Sequence, residues 1–312
     1  MNESFFRRGV FTVLFLFSVT LSAGSAAAAG TTSLDYDGDG RADYALFRLA
    51  TNTHFILRSS NTSFYAYPFG LASDVQTPGD YDGDGRADTA VWRPSSGVFY
   101  VLRSSDGQVQ TYQFGLEGDE PVARDYDGDG KTDFAVVRRT GEQMIWYINL
   151  SATGSFRIDT FGLSTDITAP GDYDGDGKFD LGTFRDQDGQ GVFYILRSTL
   201  GYGVVRWGFA TDYVVPGDYD GDGKTDFAVV RVGSNYTWYI LRSSDNGFSA
   251  LQFGSKSDYT VQADYDGDRR TDIAVYRPET GTFYVLRSSN STTTQFVFGQ
   301  NGDYPIANFD TH

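Results

Sequence analysis

DYDGDGRAD, running from Asp35 to Asp43, is the stretch whose reading decides the fold, because it comes back five more times. The string DYDGDG begins at Asp35, Asp80, Asp125, Asp172 and Asp218, and its variant DYDGDR at Asp264; the spacings are 45, 45, 47, 46 and 46 residues. Self-similarity at a near-fixed period of this size marks a repeat architecture. Each copy continues through the same landmarks. An apolar run ends in Arg (ALFR, AVWR, AVVR, GTFR, AVVR and AVYR), closing at Arg48, Arg93, Arg138, Arg185, Arg231 and Arg277. An aromatic run such as VFYVLRSS follows, then an aromatic-Gly pair with an Asp four residues after the Gly, as in Phe114-Gly115 and Asp119.

The apolar runs are short, β-branched and aromatic, and Gly, Asp, Ser and Asn punctuate them, which is strand patterning. No part of residues 30–312 shows sustained helical periodicity. Each unit offers four strands: one before DYD, one after the loop, the FYVLR strand, and one ending at the aromatic-Gly pair. Runs such as DFAVVR and MIWYINL are apolar on both faces and must be covered on both sides. The expected fold is therefore all-β, a β-propeller of six four-stranded blades, which also removes most exposed sheet edges. Residues 303–310 (DYPIANFD) repeat the opening strand of a unit and then stop, whereas the N-terminal copy, residues 31–34, is short. The last strand is expected to dock on the first unit and close the ring.

Composition narrows the function. The chain has 312 residues, 25 Lys plus Arg against 41 Asp plus Glu, and a formal charge of -16, which argues against nucleic acid as a partner. There is no Cys, and the histidines are His54 and His312, so thiol chemistry is excluded and histidine catalysis nearly so. Arg7 and Arg8 precede an apolar stretch at residues 10–21 and a small-residue run, SAGSAAAAG, with a cleavage-type site near Ala29. Residues 1–29 read as a Sec-type signal peptide, leaving residues 30–312 as the propeller. No later segment is long and apolar enough to span a bilayer. Export to the medium, cell surface or periplasm, as a monomer, is the expectation.

Within each loop, carboxylates stand at positions 1, 3, 5 and 9. They are Asp35, Asp37, Asp39 and Asp43; Asp80, Asp82, Asp84 and Asp88; Asp125, Asp127, Asp129 and Asp133; Asp172, Asp174, Asp176 and Asp180; Asp218, Asp220, Asp222 and Asp226; and Asp264, Asp266, Asp268 and Asp272. Four carboxylates in nine residues repel one another unless a cation sits among them. Hard oxygen donors with a Gly for the tight turn suit Ca²⁺ better than Mg²⁺. The loop is not an EF-hand, because position 12 holds Leu46, Val91, Val136, Thr183, Val229 and Val275 instead of a bidentate Glu. Up to six Ca²⁺ are expected, the sixth held most weakly because Arg269 replaces the position-6 Gly.

A DxDxDGxxD loop between strands, followed by a Phe-Gly signature in each unit, resembles the FG-GAP/VCBS-type repeats. It is similar to the calcium-bearing blades of integrin α-subunit propellers and to bacterial secreted VCBS-repeat proteins, although it has six units. The resemblance covers essentially all of residues 30–312 and implies a calcium-binding propeller. For function it implies adhesion, glycan binding or, with added catalytic residues, polysaccharide cleavage. At about 1 mM calcium, a site with a dissociation constant on the order of 10⁻⁴ M stabilises the fold by roughly 1.4 kcal/mol. Six would contribute roughly 8 kcal/mol, comparable with the stability of a typical domain.

Little is left for catalysis. Six acids outside the loops follow the aromatic-Gly pairs: Asp74, Asp119, Asp166, Asp212, Asp258 and Asp303. The repeated arginines are expected to pair with such framework aspartates. Asp186 and Asp188, in the divergent stretch FRDQDGQG, are the nearest thing to a carboxylate pair and read as turn residues. Trp92, Trp146, Trp207 and Trp238 all stand where other units carry aromatic residues, so they read as core. A binding face would then come from less regular loops such as residues 51–54 or 95–97. No catalytic residue is assigned. The expected function is a calcium-stabilised module for cell adhesion or carbohydrate binding, with a glycan or an extracellular protein as partner. The alternative is an extracellular glycoside hydrolase or polysaccharide lyase on the same scaffold.

Overall fold

A computed structural model of the protein describes residues 34–307; the signal-peptide reading of residues 1–29 lies outside them. The described residues form no helix and six separate four-stranded sheets, each antiparallel throughout. They therefore contain no helix long and apolar enough to cross a membrane. The second unit shows the plan. Val75–Gln76, Thr89–Arg93, Val98–Leu102 and Val109–Gln113 lie side by side in chain order, with Trp92 opposite Phe99 and Phe99 opposite Tyr112. The Asp loop joins the first strand to the second, and a bridge between Gly79 and Asp88 carries the pairing up to the loop.

Burial falls from strand to strand. The second strand, TAVWR, is buried at its first four residues, as expected of a run apolar on both faces. The third alternates between buried and half-buried positions, and the fourth is mostly exposed. Thus MIWYINL alternates instead of being buried throughout: Tyr147 is half-buried and lies under the Arg138 guanidinium, 4.7 Å from it. The core sits between successive blades. The loop tyrosine of one unit stacks on the first second-strand residue of the next, as Tyr81 does on Phe134, Tyr173 on Phe227 and Tyr265 on Tyr44, at 4.9–5.0 Å.

The ring closes as the sequence suggests, with a refinement. Asp303–Pro305 takes the first-strand place of the first blade, pairing with Tyr44–Arg48. The Ile306 N–H reaches the Ala45 carbonyl, and the Leu34 carbonyl accepts from the Asp43 N–H. The first strand of that blade is therefore shared between the two ends of the chain.

Candidate metal centres

Each Asp loop is wound around its own first carboxylate. Asp35 accepts from the Gly38 N–H at 2.7 Å and the Gly40 N–H at 2.8 Å, and the other loops repeat both bonds. Glycine is favoured at positions 4 and 6 because both have positive φ, 79° and 84° in the first loop. Position 4 is also crowded. A Cβ on Gly38 would meet the Arg86 side chain of the next blade, and Gly128 and Gly175 lie as close under Lys178 and Lys224. Position 6 opens on free space. That is why Arg269 fits there in the sixth loop, at φ 67°, and still donates its N–H to Asp264 at 2.8 Å.

The position-9 carboxylate ties the loop to the rest of the blade. In the first unit Asp43 accepts from the Tyr36 N–H at 3.0 Å and the Ser59 N–H at 2.7 Å. The same pair of bonds forms at Asp88, Asp133, Asp180, Asp226 and Asp272. Ser59 Oγ donates to Asp39 and Ser60 Oγ to Asp37. These serines belong to the recurring LRSS, and the sequence reading gave them no role. The signal was there: Ser59, Ser104 and Ser288 each follow their position-9 Asp by 16 residues, an offset that crosses one whole hairpin.

Carboxylate oxygens converge within 4.8 Å in Asp35, Asp37 and Asp39 of the first loop. In the second to fifth loops the converging set is positions 1, 3 and 9: Asp80, Asp82 and Asp88; Asp125, Asp127 and Asp133; Asp172, Asp174 and Asp180; Asp218, Asp220 and Asp226. Position 5 lies outside those four sets; its carboxylate takes the position-7 N–H and the serine hydroxyl at Asp84 and Asp129, and equally at Asp39. Asp37 Oδ1 and Asp174 Oδ1 are buried with no hydrogen-bond partner. Burial pushes Asp43, Asp133 and Asp180 up to about 7 and Asp88, Asp226 and Asp272 up to about 6; the Ser N–H opposes the shift, and the position-3 carboxylate adds to it. Among the described residues no Lys or Arg forms an ion pair with a loop carboxylate. Hard oxygens, without a cationic partner and under mutual repulsion, are a donor set that fits a divalent cation.

The loops are also chained around the ring. The position-8 N–H of each unit donates to the position-1 carbonyl of the unit before it, at 2.6–2.7 Å, from Ala87 to Asp35 round to Ala42 and Asp264. At the opposite end of the blades the repeated arginines pair with the aspartates after the aromatic-Gly pairs, as expected. Arg93 grips Asp74 through two nitrogens at 2.9 and 2.8 Å, and Arg48 closes the ring on Asp303 in the same manner. Each of these arginines also lies over an aromatic ring of its third strand.

The remaining candidates separate. Asp186 and Asp188 are both exposed; Asp188 lies in the hairpin turn as expected, but Asp186 belongs to the second strand, Leu181–Gln187, paired with Gly191 and accepting from the Gly189 N–H at 2.7 Å. Trp92, Trp146 and Trp238 are buried core, at 0–1% exposure, but Trp207 is half-buried, so the core reading fails to describe it fully. His54 does not belong to an open binding loop. It is 0% exposed on a third strand, at the place of Phe99 and Trp146, with Nε2 2.8 Å from Gln76 Oε1.

Comparison with known proteins agrees with this architecture. A model described as an FG-GAP-like repeat matches residues 125–183 and 218–275, each match starting on an Asp loop and ending in the next blade. No curated protein matches the chain. AofleA from Arthrobotrys oligospora is similar in structure, with 11% identity, coverage of 89% of this chain and 96% of that one, and a TM-score of 0.51. A catalytically inactive virginiamycin B lyase from Staphylococcus aureus, with quinupristin, has 10% identity, coverage of 86% and 84%, and a TM-score of 0.47. A functionally unknown protein from Desulfotomaculum acetoxidans has 11% identity, coverage of 82% and 80%, and a TM-score of 0.47. The two matched regions and the six-bladed ring fit an FG-GAP/VCBS-type repeat propeller.

Proposed function

We propose that this FG-GAP/VCBS-type repeat propeller is an exported binding module for a glycan or another surface macromolecule, with Ca²⁺ held in its Asp loops as part of the structure. The observation that carries the calcium reading is the set of six buried position-9 aspartates, none of which has a cationic partner among the described residues. Asp80, Asp82 and Asp88, and their equivalents in the other loops, would hold the ion. A bound divalent cation supplies the counter-charge that lets neighbouring carboxylates stay ionised in a buried place. The chain's own residues do the rest: Ser104 and Tyr81 fix Asp88 by their N–H groups, and Gly83 and Gly85 orient Asp80.

Binding, as against turnover, is supported by how the charged groups are committed. The loop acids face one another, and the second-strand arginines are each tied to an aspartate. A chain built this way presents a rigid ring whose faces vary only locally. The test is metal analysis of the purified protein, then retention on immobilised polysaccharides with calcium and with chelator. Calcium above magnesium in the protein, and calcium-dependent retention on at least one polymer, is the expected result. Metal-free protein that is equally stable, or retention on none of the polymers, would remove the respective half of the reading.

A further inference from the structure

The repeat is broken at one place in a way that makes a pocket. In the fourth unit the aromatic-Gly pair is Trp207-Gly208, where the other units carry Phe69, Phe114, Phe161, Phe253 and Phe298. The residue after the Gly is Phe209, in place of Leu71, Leu116, Leu163, Ser255 and Gln300. The residue before the pair is Arg206, the one cation among Pro68, Gln113, Thr160, Gln252 and Val297. The hairpin between the second and third strands is also two residues longer here than in the first, second and sixth units, and it brings in Gln190.

These departures are scattered in sequence and meet in space. Gln190, Arg206, Trp207, Phe209, Arg231 and Tyr239 line an open pocket of about 230 Å³. Gln190 Nε2 donates to the Gly208 carbonyl at 2.6 Å, which fastens the longer hairpin to the wall. Phe209, half exposed, lies over one face of the Arg231 guanidinium at 3.8 Å, and Tyr239 approaches that group at 4.4 Å. Arg231 is neutralised by Asp212 at 2.8 Å. Arg206 is exposed and makes no ion pair among the described residues. Trp207 is held by a bond from Nε1 to the Tyr239 carbonyl at 3.1 Å. The result is a rigid aromatic wall with one uncommitted cation beside it.

We propose that this pocket binds an acidic sugar residue of a uronate-type polysaccharide. The apolar face of a pyranose ring packs on Trp207 and Phe209, and the carboxylate pairs with Arg206, a charge-assisted contact that a neutral sugar cannot make. This names the ligand class and the site for the glycan-binding reading and rests on it.

The test uses the intact protein in calcium, with polygalacturonate and neutral dextran as probes in affinity electrophoresis. Arg206→Gln, Trp207→Phe and Phe209→Leu each install a residue that other units carry at that position, so the fold is retained. Polygalacturonate should retard the parent and dextran should not. Arg206→Gln should weaken retention about tenfold and steepen no salt dependence, at an unchanged melting temperature. The triple variant should lose retention. A triple variant retarded as strongly as the parent overturns the site while leaving glycan binding standing. Equal retardation by dextran overturns the acidic ligand. No retardation on polygalacturonate, with retention on some other polymer, overturns the proposal alone; no retention on any polymer overturns the wider reading with it.

Discussion

Two rings of six aspartates run around this propeller, both buried, and they are satisfied in opposite ways. At one end Asp74, Asp119, Asp166, Asp212, Asp258 and Asp303 each take a two-pronged arginine from the second strand of the same blade. At the other, Asp43, Asp88, Asp133, Asp180, Asp226 and Asp272 take only N–H groups and face further carboxylates. The first ring finds its counter-charge inside the chain. The second leaves it to be supplied from outside, and the difference marks which end depends on an ion.

The largest expected effect is that of pH on the metal-free protein, because six groups act together. The folded pKa values of the position-9 aspartates, about 6 to 7, lie above the 3.8 of an ordinary Asp. The folded state therefore binds more protons than the unfolded one in that window, and stability must fall as pH rises through it. Denaturation in chelator at pH 5 and pH 8 should show the drop, and calcium should reverse it, since ionised carboxylates bind the ion better. A pH-independent metal-free protein would erase the contrast between the rings.

Next in size is removal of an arginine from the first ring. Arg93→Ala strands a buried carboxylate and should cost about 3–5 kcal/mol, equally with calcium and with chelator. Asp133→Asn in the second ring should behave differently. It should lower stability in calcium by about 1.4 kcal/mol and leave it equal or higher in chelator, where it deletes an unpaired charge. Parallel denaturant titrations of both variants would sharpen the comparison; the same sign for Asp133→Asn in both buffers would break it. The smallest effect is Arg269→Gly, which relieves a positive-φ residue and should stabilise by about 1 kcal/mol, and should also tighten the sixth site. Calcium titration of that variant by calorimetry is the check.

Much of this was legible in the repeat. Strand count, blade count and closure by residues 303–305 follow from landmarks that recur in every unit, and the Arg–Asp pairs follow from counting charges no loop required. What escaped was whatever depends on register between distant strands. Ser59 and Ser60 look like turn residues until the third strand carries them over Asp39 and Asp37. His54 looked loop-like by its polar neighbours, yet its place in the unit is that of Phe99, Trp146, Phe193, Trp238 and Phe283, all core positions. Position 5 looked equivalent to positions 1, 3 and 9 in sequence, but in the second to fifth loops it lies outside the converging oxygens, a difference in side-chain placement that no residue type announces. Trp207 matched a framework position in the alignment of units, but that position is half-buried in every unit, as at Phe69, Phe114, Phe161, Phe253 and Phe298, and is not core like those of Trp92, Trp146 and Trp238.

Thermal unfolding across a calcium titration, with magnesium as control and excess chelator as the starting point, tests the central claim most directly. The second ring predicts a melting temperature that climbs steeply with calcium and little with magnesium. A melting temperature indifferent to calcium would contradict it, leaving the Asp loops as acidic turns and the propeller resting on its packing and its ring of Arg–Asp pairs.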